Sequence, residues 1–154
     1  MKKAIISIVC IVALVLIAYH SFRKEIWEIN RIELKEAVLE AQTGQVELSK
    51  ITQFEWDRMY SFAPYAPKDE IYAIVGYEWD PDISETVSEG MNQIVFMKDD
   101  EVVCYVYGYP ENNGFGFYIE QNDGLSEYAT VLYKKDQPVF ELMEMDGVVY
   151  LIRK

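Results

Sequence analysis

The sequence predicts an α+β protein: an N-terminal transmembrane helix and a stalk helix, then a small domain with a mainly antiparallel sheet and one short helix. Three observations predict it. Residues 4–19 (AIISIVCIVALVLIAY) carry no charge. Residues 25–41 repeat their apolar positions at helical spacing, and after Gly44 the pattern changes to alternation broken by turn residues. Strands gathered behind a lone helix favour α+β over alternating α/β. The expected divisions are an anchor over 1–22, a juxtamembrane helix over 23–44 and an acidic domain over 45–154.

The anchor comes first. Sixteen residues at ~1.5 Å each make about 24 Å of helix, a little short of the ~30 Å hydrocarbon core. Lys3 can snorkel at one end, while His20, Ser21 and Phe22 extend the helix at the other. Tyr19 and Phe22 suit an interfacial position. A cleaved signal peptide shares the basic start and short apolar centre, but the end, Leu16-Ile17-Ala18-Tyr19-His20, is a poor cleavage site. Val9 precedes Cys10, and a lipoprotein cut there leaves almost no apolar segment upstream. Lys2, Lys3 and the α-amino group only just outweigh Arg23 and Lys24, which favours a cytoplasmic N-terminus and an exported domain.

Charge narrows the partners. The chain of 154 residues has a net charge of −12. Setting Lys2, Lys3, Arg23 and Lys24 aside leaves ten basic against 26 acidic residues, a balance of −16 from Glu25 onward. Such a surface repels phosphate backbones, so no nucleic-acid partner is expected. The expected partners are the membrane, through the N-terminal helix, and a protein or cell-envelope component.

Residues 25–41 place Ile26, Trp27, Leu34, Ala37, Val38 and Ala41 in one stripe about 120° wide, interrupted only by Asn30. Ile29, Ile32 and Leu39 form a weaker second row, and Gly44 reads as a stop. The helix either docks a partner near the membrane or packs on its own domain. Next, Phe54, Trp56, Tyr60 and Phe62 alternate onto one face of a strand over 54–62, with Arg58 the single polar member of that row. Pro64 and Pro67 break pairing. Residues 68–75 read as a short helix closed by Gly76, and 78–89 as acidic and turn-prone. The remainder reads as an antiparallel meander. Its strands are expected over 93–97, 102–109, 117–120, 127–133, 139–145 and 148–152, with a Gly/Asn/Pro loop over 110–116 and a hairpin turn at Asp146-Gly147.

The run ITQFEWDRMYSFAPY over residues 51–65 carries Phe54, Trp56, Asp57, Tyr60, Phe62, Pro64 and Tyr65 at fixed offsets. It resembles a group of uncharacterised small bacterial proteins, membrane-anchored or lipoprotein-like, that share an F-x-W-D-x-x-Y-x-F-x-P-Y motif. The resemblance covers residues 50–110, including Val75-Gly76 and the run Ile94-Val95-Phe96-Met97-Lys98-Asp99-Asp100. It implies an extracytoplasmic location in a Gram-positive bacterium and brings no activity. The chain departs from the lipoprotein members in lacking a usable lipobox, which favours anchoring by helix.

Catalytic signals are weak. His20, the only histidine, stands at the membrane edge, so the domain has no imidazole for a triad or a metal. Cys104 stands mid-strand without a base, as a buried inert thiol. With 26 acids some carboxylate pair always falls at hydrolase spacing, so that signal is nearly empty. Asp80, Asp82, Glu85 and Glu89 offer oxygens for Ca²⁺ but lack the glycine and spacing of a dedicated loop; a solvated acidic turn is the plainer reading. Asp99, Asp100 and Glu101 read as a hairpin turn. No catalytic residue, metal or cofactor is expected.

Binding candidates remain. Asp57 and Arg58 are either a recognition pair at a sheet edge or structural, Asp57 capping the Pro64–Pro67 loop and Arg58 pairing with an acid. Tyr65, Trp79, Tyr105, Tyr107 and Tyr109 are the aromatic candidates; Tyr105, Tyr107 and Tyr109 share one side of a strand, with Val103 continuing the row. Exposed, they suit protein or glycan contact; buried, they are core. The leading expectation is a non-enzymatic, membrane-tethered interaction module facing out of the cell. The alternatives are an inhibitor or immunity-type protein that neutralises a basic partner, and a cell-wall glycan hydrolase with paired carboxylates.

Overall fold

A computed structural model describes residues 25–41, 44–79, 81–120 and 126–154. The anchor expected over 1–22 lies outside the described residues, and among the described residues no helix is long and apolar enough to cross a membrane.

The chain order is helix α1 (Ile26–Ala41), strand β1 (Gly44–Glu47), helix α2 (Leu48–Ile51), β2 (Arg58–Phe62), α3 (Lys68–Val75), β3 (Asn92–Lys98) and β4 (Glu101–Gly108). A single helical turn, α4 (Pro110–Asn113), β5 (Phe115–Ile119) and β6 (Ala129–Tyr133) follow. A 3-10 turn (Lys134–Asp136) leads to the hairpin β7 (Val139–Met145) and β8 (Val148–Arg153). The class is α+β with mainly antiparallel pairing.

The strands do not form one meander. They make two four-stranded sheets, ordered β1-β7-β8-β5 and β4-β3-β2-β6. β5 lies parallel to β8, and β6 returns to the edge of β2. Alternation in sequence says which residues are extended and which face they take, but not which strand lies alongside.

The first core cluster fills the space between the sheets: Met59, Ile94, Phe96, Cys104 and Val106 from one, Phe115, Phe117, Phe140, Leu142, Val149 and Leu151 from the other. The second lies on the far face of β4-β3-β2-β6, where Tyr60, Phe62, Val95, Met97 and Tyr105 meet Ile71 and Val75 of α3. A strand covered on both sides reads as a continuous apolar run, and all residues from Gln93 to Met97 are buried.

Three sequence expectations need correction. The strand over 54–62 begins only at Arg58. The chain bends before it, so Phe54 and Trp56 join the first cluster while Tyr60 and Phe62 join the second. Trp56 is fixed by its indole N–H, which donates to Thr52 Oγ1 at 2.9 Å, and Thr52 in turn donates to the Leu48 carbonyl. The loop over 110–116 holds α4, closed by Gly114 at φ 80°. Val103 leaves the tyrosine row, because Phe96 pairs with Cys104 and Met97 with Val102, making Val103 the extra residue of a β-bulge.

That bulge positions α1. Asn30, the polar break in the apolar stripe, is buried and donates its side-chain N–H to the Val103 carbonyl at 2.7 Å. Leu34 and Val38 are fully buried in the first cluster, and Trp27 packs against the second. Of the two readings of this helix, packing on its own domain is the one observed. It covers the exposed edge at β4, which otherwise invites pairing with another chain.

Candidate functional site

An aromatic junction forms where the first turns of α1, strand β4 and the segment after α3 meet. Trp27 and Trp79 meet edge-on at 5.3 Å, Trp79 and Tyr105 at 5.4 Å, and Tyr105 stacks on Tyr107 at 5.9 Å. Two clefts open beside it. One, about 580 Å³, is lined by Lys68, Asp69, Tyr72, Glu78, Trp79 and Asp82. The other, about 210 Å³, is lined by Trp27, Arg31, Tyr105 and Tyr107.

One of the three acids of the larger cleft, Asp82, is engaged internally. Asp82 accepts the Tyr72 hydroxyl at 2.8 Å and forms an ion pair with Lys68. The Lys68 ammonium, then the Tyr72 hydroxyl, hold the Asp82 carboxyl below its usual range, and Asp82 raises Lys68 in return. Burial raises the Tyr72 phenol, which also accepts the Ile83 N–H. Asp57 and Glu47 are lowered as well, so no described carboxylate with a resolved shift is raised in the manner of a general acid.

The acidic 78–89 segment is a strap tied to its surroundings. Glu85 accepts the Lys68 N–H at the start of α3 at 2.8 Å, where a carboxylate also complements the helix dipole. Thr86 accepts the Tyr65 N–H, Tyr107 donates to the Glu85 carbonyl, and Gln93 donates to the Ser84 carbonyl. Of the Ca²⁺ candidates, Asp82 and Glu85 are thus spoken for, and Asp80 lies outside the described residues. Among the described residues no group of three potential ligands could hold a metal.

The candidate residues divide between core and surface. Trp79 and Tyr105 are buried, and burial raises the Tyr105 phenol well above its usual range. Tyr107 is half-buried beside them. Tyr109 lies beyond the strand against Gly90, and Tyr65 is exposed in a turn at φ 63°. Asp57 and Arg58 sit apart from all five. Asp57 accepts the Asp99 N–H at 2.6 Å and the Lys98 ammonium at 2.9 Å, so it caps the β3–β4 turn, not the Pro64–Pro67 loop. Arg58 donates to the Tyr60 hydroxyl and reaches Asp100 at 3.5 Å. Cys104 is fully buried, and burial pushes its thiol up.

The surface that sequence reasoning missed is the outward face of β1-β7-β8-β5. Phe140, Leu142, Val149 and Leu151 point to the core. The alternate positions, Val139, Glu141, Met143, Met145, Tyr150 and Ile152, therefore face away from it. Register places Met143 beside Tyr150, and Ile152 between Glu141 and Tyr118. Tyr118 is 60 % exposed, Met145 44 %, Val139 43 % and Met143 41 %. Apolar side chains thus run together across three strands. Composition alone assigns Met143 and Val139 to a core; their exposure sets them apart, while on the same face Val148 is buried and Pro110 of α4 lies over Gly116.

Comparison with protein-family models, curated proteins and solved structures gives no match for the chain.

Proposed function

We propose that this protein is a membrane-tethered, extracytoplasmic interaction module without catalytic activity, and that the outward face of β1-β7-β8-β5 meets its partner, a protein or cell-envelope component. The contiguous apolar run of Tyr118, Met143, Met145, Tyr150 and Ile152 carries this reading. A contiguous exposed apolar run rimmed by polar residues is often a contact surface, and methionine adapts to an opposing surface without fixed geometry. The charge-free run over 4–19 supports the tether. The resemblance to anchored bacterial envelope proteins supports an outward-facing domain in a Gram-positive cell membrane. The lowered carboxyls of Glu47, Asp57 and Asp82 disfavour a glycan hydrolase.

The test is photo-crosslinking in intact membranes. A benzophenone amino acid at position 118 should give a discrete adduct that the same group at Tyr65, equally exposed but on the other side of the core, does not give. Matching adduct patterns at the two positions would remove the outward face as the contact surface.

A further inference from the structure

We infer that the partner docked on this face is a protein with a cationic surface around an apolar centre. The inference rests on the reading above and names the chemistry of the partner.

Area gives the first argument. Three strands at ~4.8 Å spacing and about five residues at ~3.3 Å make a flat apolar face of about 240 Å². A standard interface needs roughly 800 Å² from each partner. The apolar run is therefore the centre of a contact whose rim must contribute, and the rim is acidic. Glu141 stands within the face, Asp146 at its hairpin end, and Glu111 on α4 beside Tyr150; all three are exposed. None takes part in any ion pair among the described residues.

The field of these acids reaches the apolar run itself. Burial, then Glu111 and Asp146, raise the Tyr150 phenol above its usual range. The basic side chain at the opposite end, Arg153, is turned to the Val139 carbonyl at 3.1 Å. A second copy of the chain is a poor occupant, because it brings its own net charge of −12 and the same acidic rim. An anionic lipid surface is repelled for the same reason. A cationic protein surface is drawn in by the rim and desolvates the methionines and tyrosines at the centre.

The experiment uses the full chain in its membrane, with the benzophenone probe at position 118 and the control at 65, and identifies the crosslinked segment by mass spectrometry. The expected result is a Lys- or Arg-rich protein segment at position 118. Its yield should fall about tenfold between about 50 and 500 mM salt, and comparably in the E111K/E141K double variant. A salt-insensitive adduct, an acidic segment, a second copy of this chain or a lipid at position 118 would overturn the inference and leave the contact face standing. No adduct at 118 above that at 65 would remove both.

Discussion

Asn92 on β3 holds Phe117 on β5 by both of its backbone groups, accepting the Phe117 N–H on Oδ1 at 2.6 Å and donating Nδ2 to the Phe117 carbonyl at 3.0 Å. The side-chain amide thus replaces a neighbouring strand on the free side of β5 and ties one sheet to the other. Asn92→Ala should destabilise the domain by about 1–3 kcal/mol, the range for leaving paired backbone groups unsatisfied. Urea unfolding followed by tryptophan fluorescence reads this directly. A loss within error of zero would show that the amide pair adds nothing to the fold.

Gly116 makes that approach possible. A Cβ at this position would lie 2.7 Å from the Pro110 ring and 2.9 Å from Asn92 Oδ1. Gly116→Ala should therefore cost about 1–3 kcal/mol through overpacking. Because Asn92 is one of the crowding groups, the Asn92→Ala and Gly116→Ala double variant should lose less than the sum of the two single losses. Strict additivity would mean that Pro110 alone sets the limit.

Asp57 supplies a pH signature. The Asp99 N–H, then the Lys98 ammonium, hold its carboxyl below the usual 3.8. A depressed carboxyl contributes stability above its unfolded-state value and loses it as pH falls through the folded one. Asp57→Asn should lower the urea midpoint at about pH 7, with the gap to wild type narrowing below about pH 4 and closing once the wild-type carboxyl protonates. A gap that stays constant to about pH 2 would contradict this role.

Asn30 makes a comparable contact between α1 and the bulge. Asn30→Ala leaves the Val103 carbonyl without its partner, at a cost of about 1–3 kcal/mol. Limited trypsin digestion of the variant should cut at Arg31 and Lys35 faster than in wild type. Unchanged cleavage would mean that Leu34 and Val38 seat the helix unaided.

Substitutions on the outward sheet face should behave in the opposite way. Met143→Ser alters a side chain with much of its surface in water, so stability should move by less than about 0.5 kcal/mol. The adduct formed at position 118 should nevertheless weaken several-fold. Unfolding of the variant at low denaturant would show that Met143 belongs to the core after all.

Features set by short stretches of chain were legible from the sequence. Helix α3 runs over Lys68–Val75 and closes on Gly76 at φ 102°, as its spacing and glycine indicate. Asp146 and Gly147 turn the last hairpin with φ 52° and 79°, the left-handed pair that this dipeptide favours. Pairings distant in sequence were not legible: nothing in Phe115–Ile119 names β8 as its neighbour, and nothing in Ala129–Tyr133 names β2. The tyrosine row of β4 misled because its regular alternation hides the bulge that moves Val103 aside. Asn30 carried more information than its apolar neighbours, since a polar residue inside an apolar stripe marks a buried group that needs a partner. Trp27 and Arg31, one turn apart on α1, were the available pointer to the smaller aromatic cleft.

Strand β3 is the common wall of both clusters, with Ile94 and Phe96 on one side and Val95 and Met97 on the other. Neither cluster can melt without exposing the strand that the other needs, so the domain has no way to open by halves. The backbone amides of β3 should therefore exchange with deuterium only through complete unfolding, at a rate set by global stability. An extracting force applied at the N-terminal end would first have to strip α1 from β4, and with β3 then pulled away both halves of the molecule would give way together.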